Sequence, residues 1–198
     1  MCPSGLALHH PAAERLLQYA TQGCPTDTGQ PWTLEQMEKA VMRGPHQSAL
    51  DPEAMAYFEK EVMEKVEQGQ AKVVLWDDIK NNPPPQLKVS PIALIPHKSR
   101  MFRAILDLSF AIRLRTGEVE VPSVNSTSVK TAPAGAIDQM GHALSRLIHA
   151  FAHAPEDAKI FAAKWDIKDG FWRLDCQEGE EWNFAYMCCR NLRGNQLS

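Results

Sequence analysis

Lys164-Trp165-Asp166-Ile167-Lys168-Asp169-Gly170-Phe171 decides how this chain is read. An apolar run, Lys159 to Ile167, is expected to form a strand that carries Asp166 near its end. A second aspartate follows three residues later, at a turn opened by Gly170. A carboxylate at the end of a buried strand is costly unless it is paired or binds a metal. Glycine lets the backbone N–H groups of the turn come close to a ligand. A hard divalent cation carrying a phosphate chain satisfies both features. The plain alternative is a strand-end acid that caps a turn, because two acids at this spacing are common.

Working outward, the next informative stretch lies upstream. Ser90-Pro91-Ile92-Ala93-Leu94-Ile95-Pro96 reads as a short strand bounded by prolines, hence an edge. Phe102 to Asp107 reads as the return strand. His97-Lys98-Ser99-Arg100 joins them, so a hairpin is expected. Alternate strand residues face opposite ways, which puts Arg103 and Ile105 on one face and Phe102 and Ala104 on the other. Lys98, Arg100, Arg103, Arg113 and Arg115 make this region locally basic in a chain of net charge -3. One reading is a phosphate clamp, since arginine makes planar bidentate contacts. The other is a solvated hairpin whose charges keep an edge from aggregating.

The remaining pattern is mixed. Residues 1–50 are a weakly patterned helical extension, with a helix from Pro11 to Gly23 and a capping box at Thr33 and Gln36. Asp51-Pro52-Glu53 starts a helix that Gly69 ends. Lys72 to Trp76 reads as a strand or extended segment, and Asn81 to Pro85 as a stiff loop. Residues 116–133 read as loop, Ala134 to about Ala154 as an amphipathic helix, and Glu181 to Met187 as an alternating strand. That last strand is expected beside the one ending at Asp166. The tail, residues 191–198, is polar. The fold class expected is α+β, with helices packed on a mostly antiparallel sheet.

Composition narrows the class further. Five scattered cysteines lack a zinc spacing and read as reduced thiols of an intracellular, cytoplasmic or nuclear protein. No run approaches the roughly 20 apolar residues that span a bilayer, and no signal peptide is seen, so no membrane partner is expected. His142, Arg146, His149 and His153 share one face of the 134–154 helix. They read as a solvated polar stripe, as a template-phosphate contact or, given a rigid third ligand, as a metal site.

In order and spacing these features resemble the reverse transcriptases of retrotransposons and retroviruses. Ser90 to Pro96 resembles the family's fingers strand. Phe102 to Ser109 resembles its aromatic-Arg…Asp stretch, with Leu108 and Ser109 in place of the usual Tyr-Arg. Asp166 to Phe171 resembles the first catalytic motif of the palm, and residues 51–69 the helix and glycine that precede the fingers. The resemblance covers roughly residues 50 to 190 and implies a partial right-hand polymerase, fingers hairpin plus the first part of the palm.

It also implies roles. Asp166 would be the catalytic carboxylate that holds magnesium, or manganese in its place, aided by the carbonyl of Ile167. Asp169, Gly170 and Phe171 would line the nucleotide, and Lys98 and Arg103 would grip its triphosphate. Arg100, Arg113 and Arg115 would contact nucleic acid. The partners implied are an RNA or DNA template-primer and deoxynucleotides. The family's aromatic-x-D-D hairpin has no counterpart here, so the chain reads as a truncated domain, inactive alone. The rival reading is a non-catalytic interaction or scaffold domain in which D-I-K-D-G-F is a coincidence.

Overall fold

The computed structural model describes residues 13–98, 101–129, 142–161 and 175–188. Two compact units divide the chain. One is Met1–Ser128 with Phe171–Ser198, and the other is Val129–Gly170.

In the first unit, local signals set each helix. Helix α1 (Ala13–Gln22) leads to Gly23, whose φ of 82° takes the chain out of the helical conformation. Helix α2 (Leu34–Arg43) begins at the expected capping box. The amide of Gln36 donates to the Thr33 hydroxyl, and the Thr33 amide donates to the Gln36 side chain at 3.0 Å. Helix α3 (Pro52–Glu67) starts at Asp51, whose carboxylate accepts from the amides of Glu53 and Ala54 at 3.0 Å each. Gly69, with φ 70°, follows its end as expected.

The hairpin forms where the prolines and the basic connection placed it. Strand β1 (Ile92–Pro96) pairs antiparallel with β2 (Phe102–Leu106), with Ala93 opposite Ile105 and Ile95 opposite Arg103. Burial alternates as the pleat requires. Phe102, Ala104 and Leu106 pack toward a core built from Ala54, Phe58 and Val62 of α3 with Ile92, Leu94 and Ala49. Arg103 and Ile105 stay on the exposed face.

A second core holds Trp32, Met37 and Ala40 against Leu87, Val89 and Val121. It draws on Trp32 and on Met37, Ala40 and Val41 of α2, so this part of the weakly patterned N-terminal region is packed into the unit. Val121 belongs to a second small hairpin, β3 (Ile112–Arg113) with β4 (Val119–Val121), turned at Gly117. Helix α5 (Val124–Thr127) follows, its Ser123 hydroxyl accepting from the Ser126 amide at 3.1 Å. These elements correct the reading of 116–133 as loop. A three-residue strand and a four-residue helix are too short to show a period, and pairing with β3 and the Ser123 cap supply what periodicity cannot.

Residues 72–75 join no sheet, Leu75 is extended (φ −76°, ψ 133°), and Trp76 instead opens a short helix, α4 (Trp76–Ile79). One further expectation is corrected: residues 181–187 are not a strand. Glu180–Phe184 make a 3-10 turn behind Gly179, which has φ 86°. Asn183 decides this. It is 1% exposed, and its amide donates to the carbonyl of Glu180 at 2.9 Å while its side-chain oxygen accepts from Thr28. A buried amide must find such partners, and a flat strand would take it away from Glu180. Alternation survives only beyond the turn. Ala185 and Met187 pack against the Trp32 core, and Tyr186 and Cys188 against the Phe58 core.

In the second unit, helix α6 (Ala143–Ala152) realises the described part of the expected 134–154 helix. A turn follows in which the Ala158 amide donates to the carbonyl of Pro155 at 2.9 Å. Lys159 to Phe161 form no strand, and the rest of the expected 159–167 strand lies outside the described residues.

Candidate nucleic-acid interface

Arg103 owes its position to the β1–β2 register. Pairing with Ile95 turns its side chain away from the α3 core, beside Ile105, onto a face that also exposes Ile95. Lys98 lies in the connection of the same hairpin and is exposed. The His97 amide donates to the carbonyl of Met101 at 3.3 Å and closes the loop. Both cations are exposed to solvent.

Arg113 and Arg115 are also exposed, but on or beside the second hairpin. The Arg113 guanidinium donates to the carbonyl of Gly117 at 3.0 Å, bracing its own turn. The structure thus groups Lys98 with Arg103 and puts Arg113 and Arg115 on a different element. Arg100 lies outside the described residues, as do Asp166, Ile167, Asp169, Gly170 and Phe171.

Asp107, the acid of the aromatic-Arg…Asp stretch, has a local task. Its carboxylate accepts from the Ser109 amide at 3.0 Å and shapes the turn after β2. The side chain of Asn125 donates to the Ser109 hydroxyl at 2.8 Å, holding the same turn from α5. Arg43 of α2 lies 3.6 Å over the ring of Phe110, a cation–π contact. Burial lowers the Arg43 pKa, and the charge of Asp107 works against that shift.

Among the described residues, no group of three or more His, Cys, Asp or Glu side chains is arranged to hold a metal ion. The donor set implied by the resemblance is one carboxylate, Asp166, and one carbonyl, Ile167. Magnesium takes about six oxygens in a near-octahedral shell. This pair alone does not fit two such ions, and no catalytic step is assigned to it.

A polar network that the sequence reading did not single out ties residues 26–28 to the 3-10 turn. The Glu180 carboxylate accepts from the Thr26 amide and, at 3.0 Å, from the Thr26 hydroxyl. The Thr28 hydroxyl donates to Asn183 at 2.5 Å, and Lys88 donates to the carbonyl of Thr28 at 2.6 Å. The visible signal was a lysine set between Leu87 and Val89. No helix among the described residues is long and apolar enough to cross a membrane. Comparison with protein-family models, with curated proteins and with solved structures finds no match.

Proposed function

We propose that the chain carries the fingers hairpin and the first palm motif of an RNA-directed DNA polymerase, and that these 198 residues bind nucleic acid without extending a primer. The observation that carries this reading is the β1–β2 hairpin. An antiparallel pair, packed on a helix by one face, offers a cation and two apolar side chains on the other. Such a face suits a phosphate backbone and its bases. Asp166 with Ile167 would hold magnesium, Asp169, Gly170 and Phe171 would line a nucleotide, and Lys98 and Arg103 would meet its phosphates. Two-metal transfer needs cations about 3.5–4 Å apart held by several carboxylates, and one family carboxylate is present.

The test uses the full chain. Labelled single-stranded RNA and a primer-template should bind weakly, with affinity falling as salt rises, because phosphate contacts release counterions. Primer extension with deoxynucleotides and magnesium should be absent. Extension that disappears in Asp166→Ala would show that another acid or a partner chain completes the site.

A second reading, a protein-interaction domain, has its own observation. Leu144, Leu147 and Ile148 of α6 are 67%, 52% and 58% exposed. Absence of RNA and primer-template binding even at low salt would favour it.

A further inference from the structure

We propose that Cys24 and Cys176 form a reversible disulfide that locks the N-terminal segment onto the segment before the 3-10 turn. The two residues are partners in an isolated parallel bridge. The Cys24 amide donates to the carbonyl of Asp175 at 2.7 Å, and the Gln177 amide donates to the carbonyl of Cys24 at 3.1 Å. These two bonds flank Cys176 and hold it directly beside Cys24. Directly paired residues project their side chains to the same side. Neighbouring strands lie about 4.8 Å apart, inside the Cα separation of about 4.4–6.8 Å that a disulfide spans. The two Cβ atoms must come to about 3.5–4.5 Å, and a single bridge with no ladder on either side can yield that far.

Close approach is built in at the neighbouring residue. A Cβ on Gly23 would overlap the carbonyl of Cys176, and Gly23 has φ 82°. Both thiols are free and partly exposed, so a small oxidant can reach them. Burial pushes the Cys176 thiol up, and Glu181, Cys24, Glu180 and Asp175 add to the shift. With Cys24 as the first nucleophile, its thiolate attacks one sulfur of a small-molecule disulfide such as oxidised glutathione. That S–S bond breaks, and one glutathione thiolate leaves. Cys176 then gives its proton to solvent and attacks the Cys24 sulfur, displacing the second glutathione. Two protein thiols are oxidised, and one glutathione disulfide is reduced to two thiols.

The lock has a definite mechanical effect. Thr26 and Thr28 already bond Glu180 and Asn183, and the bridge precedes both pairs. A covalent tie there keeps these partners together when their hydrogen bonds open.

The experiment equilibrates the full reduced chain with mixtures of oxidised and reduced glutathione, traps free thiols with an alkylating agent and maps peptides without reduction. The expected result is a linked Cys24–Cys176 peptide at least tenfold more abundant than any other cysteine pair. A higher urea midpoint should accompany it, be reversed by dithiothreitol, be absent from Cys24→Ser, and be kept by Cys188→Ser. Stable glutathionylation of Cys24 with no linked peptide would overturn the proposal, as would linkage spread evenly over all cysteines. Peptide mapping on the unaltered chain decides the matter even where a cysteine variant folds poorly.

Discussion

The ammonium of Lys88, at the end of a side chain with no exposed surface, donates to the carbonyl oxygen of Thr28 at 2.6 Å. A weaker contact reaches the Thr127 hydroxyl at 3.4 Å. A lysine thus holds the Thr28 loop and helix α5 against the strand-like run Leu87–Val89. Lys88→Met keeps the apolar stem but leaves a buried carbonyl without its donor, which costs about 1–3 kcal/mol. Burial lowers the folded pKa of Lys88, with Asp27 opposing the shift. At neutral pH the lysine is charged in both states and burial exerts its full penalty. As pH rises toward 10.5 the folded chain gives up its proton before the unfolded chain does, so wild-type stability gains. Urea unfolding at neutral and alkaline pH should show the deficit of Lys88→Met growing with pH. A variant as stable as the parent would mean that the Thr28 carbonyl finds another donor.

Two glycines with similar backbone angles should respond differently to alanine. Gly29 has φ 76°, and a Cβ there would overlap the carbonyl oxygen of Thr127. Gly117 has φ 89° with open space around it. Both substitutions carry the left-handed backbone cost of about 1–2 kcal/mol, and only Gly29→Ala must also push α5 away. Its urea midpoint should fall clearly below that of Gly117→Ala, and equal midpoints would contradict the close approach.

Tyr186 packs against Phe58, ring centroids 5.7 Å apart. Its hydroxyl pKa is pushed up to about 12 by burial, and Cys188 and Glu61 add to the shift. A group that keeps its proton longer in the fold loses stability once the unfolded form ionises. Stability should therefore fall as pH rises from about 10, the usual tyrosine value, toward 12. Ultraviolet titration should show a late phenolate step that is missing from Tyr186→Phe.

Arg103 and Lys98 are exposed and sit outside both cores. Replacing both with alanine should shift stability by no more than about 0.5 kcal/mol. The same double variant should weaken RNA binding and flatten its salt dependence, each lost phosphate contact removing about one unit of slope. Anisotropy titrations at several salt concentrations measure this. An unchanged slope would remove these two residues from the interface.

Features set by neighbouring residues were legible before any coordinates. The Thr33–Gln36 box, the Asp51 cap and the Lys98 hairpin follow from a few adjacent side chains, and each is where its residues indicated. Features set by distant partners were not. Asn183 turns what looked like a strand into a 3-10 turn because Thr28 waits for it, and nothing in Glu181 to Met187 announces Thr28. Val119–Val121 gains its strand only from Ile112 and Arg113. Of the candidate site, Arg103 faces solvent beside Ile105 as the pleat demanded. The Asp166 motif lies outside the described residues, and the strand over 181–187 that was expected beside it is not formed.

The contact between Thr28 and Asn183 spans 155 positions of the chain, and that between Thr26 and Glu180 spans 154. Ribosomes add about 5–20 residues each second, so Thr28 leaves the peptidyl centre roughly 8–30 s before its partner is made. Throughout that interval the Trp32 core lacks Trp182, Ala185 and Met187. Lys88 meanwhile waits beside a loop that nothing yet anchors to the 3-10 turn. Birth order therefore makes residues 180–187 the closing stitch of a unit to which Thr26, Thr28 and Trp32 belong. Synthesis that pauses before Trp182 leaves the Trp32 core uncovered on that side.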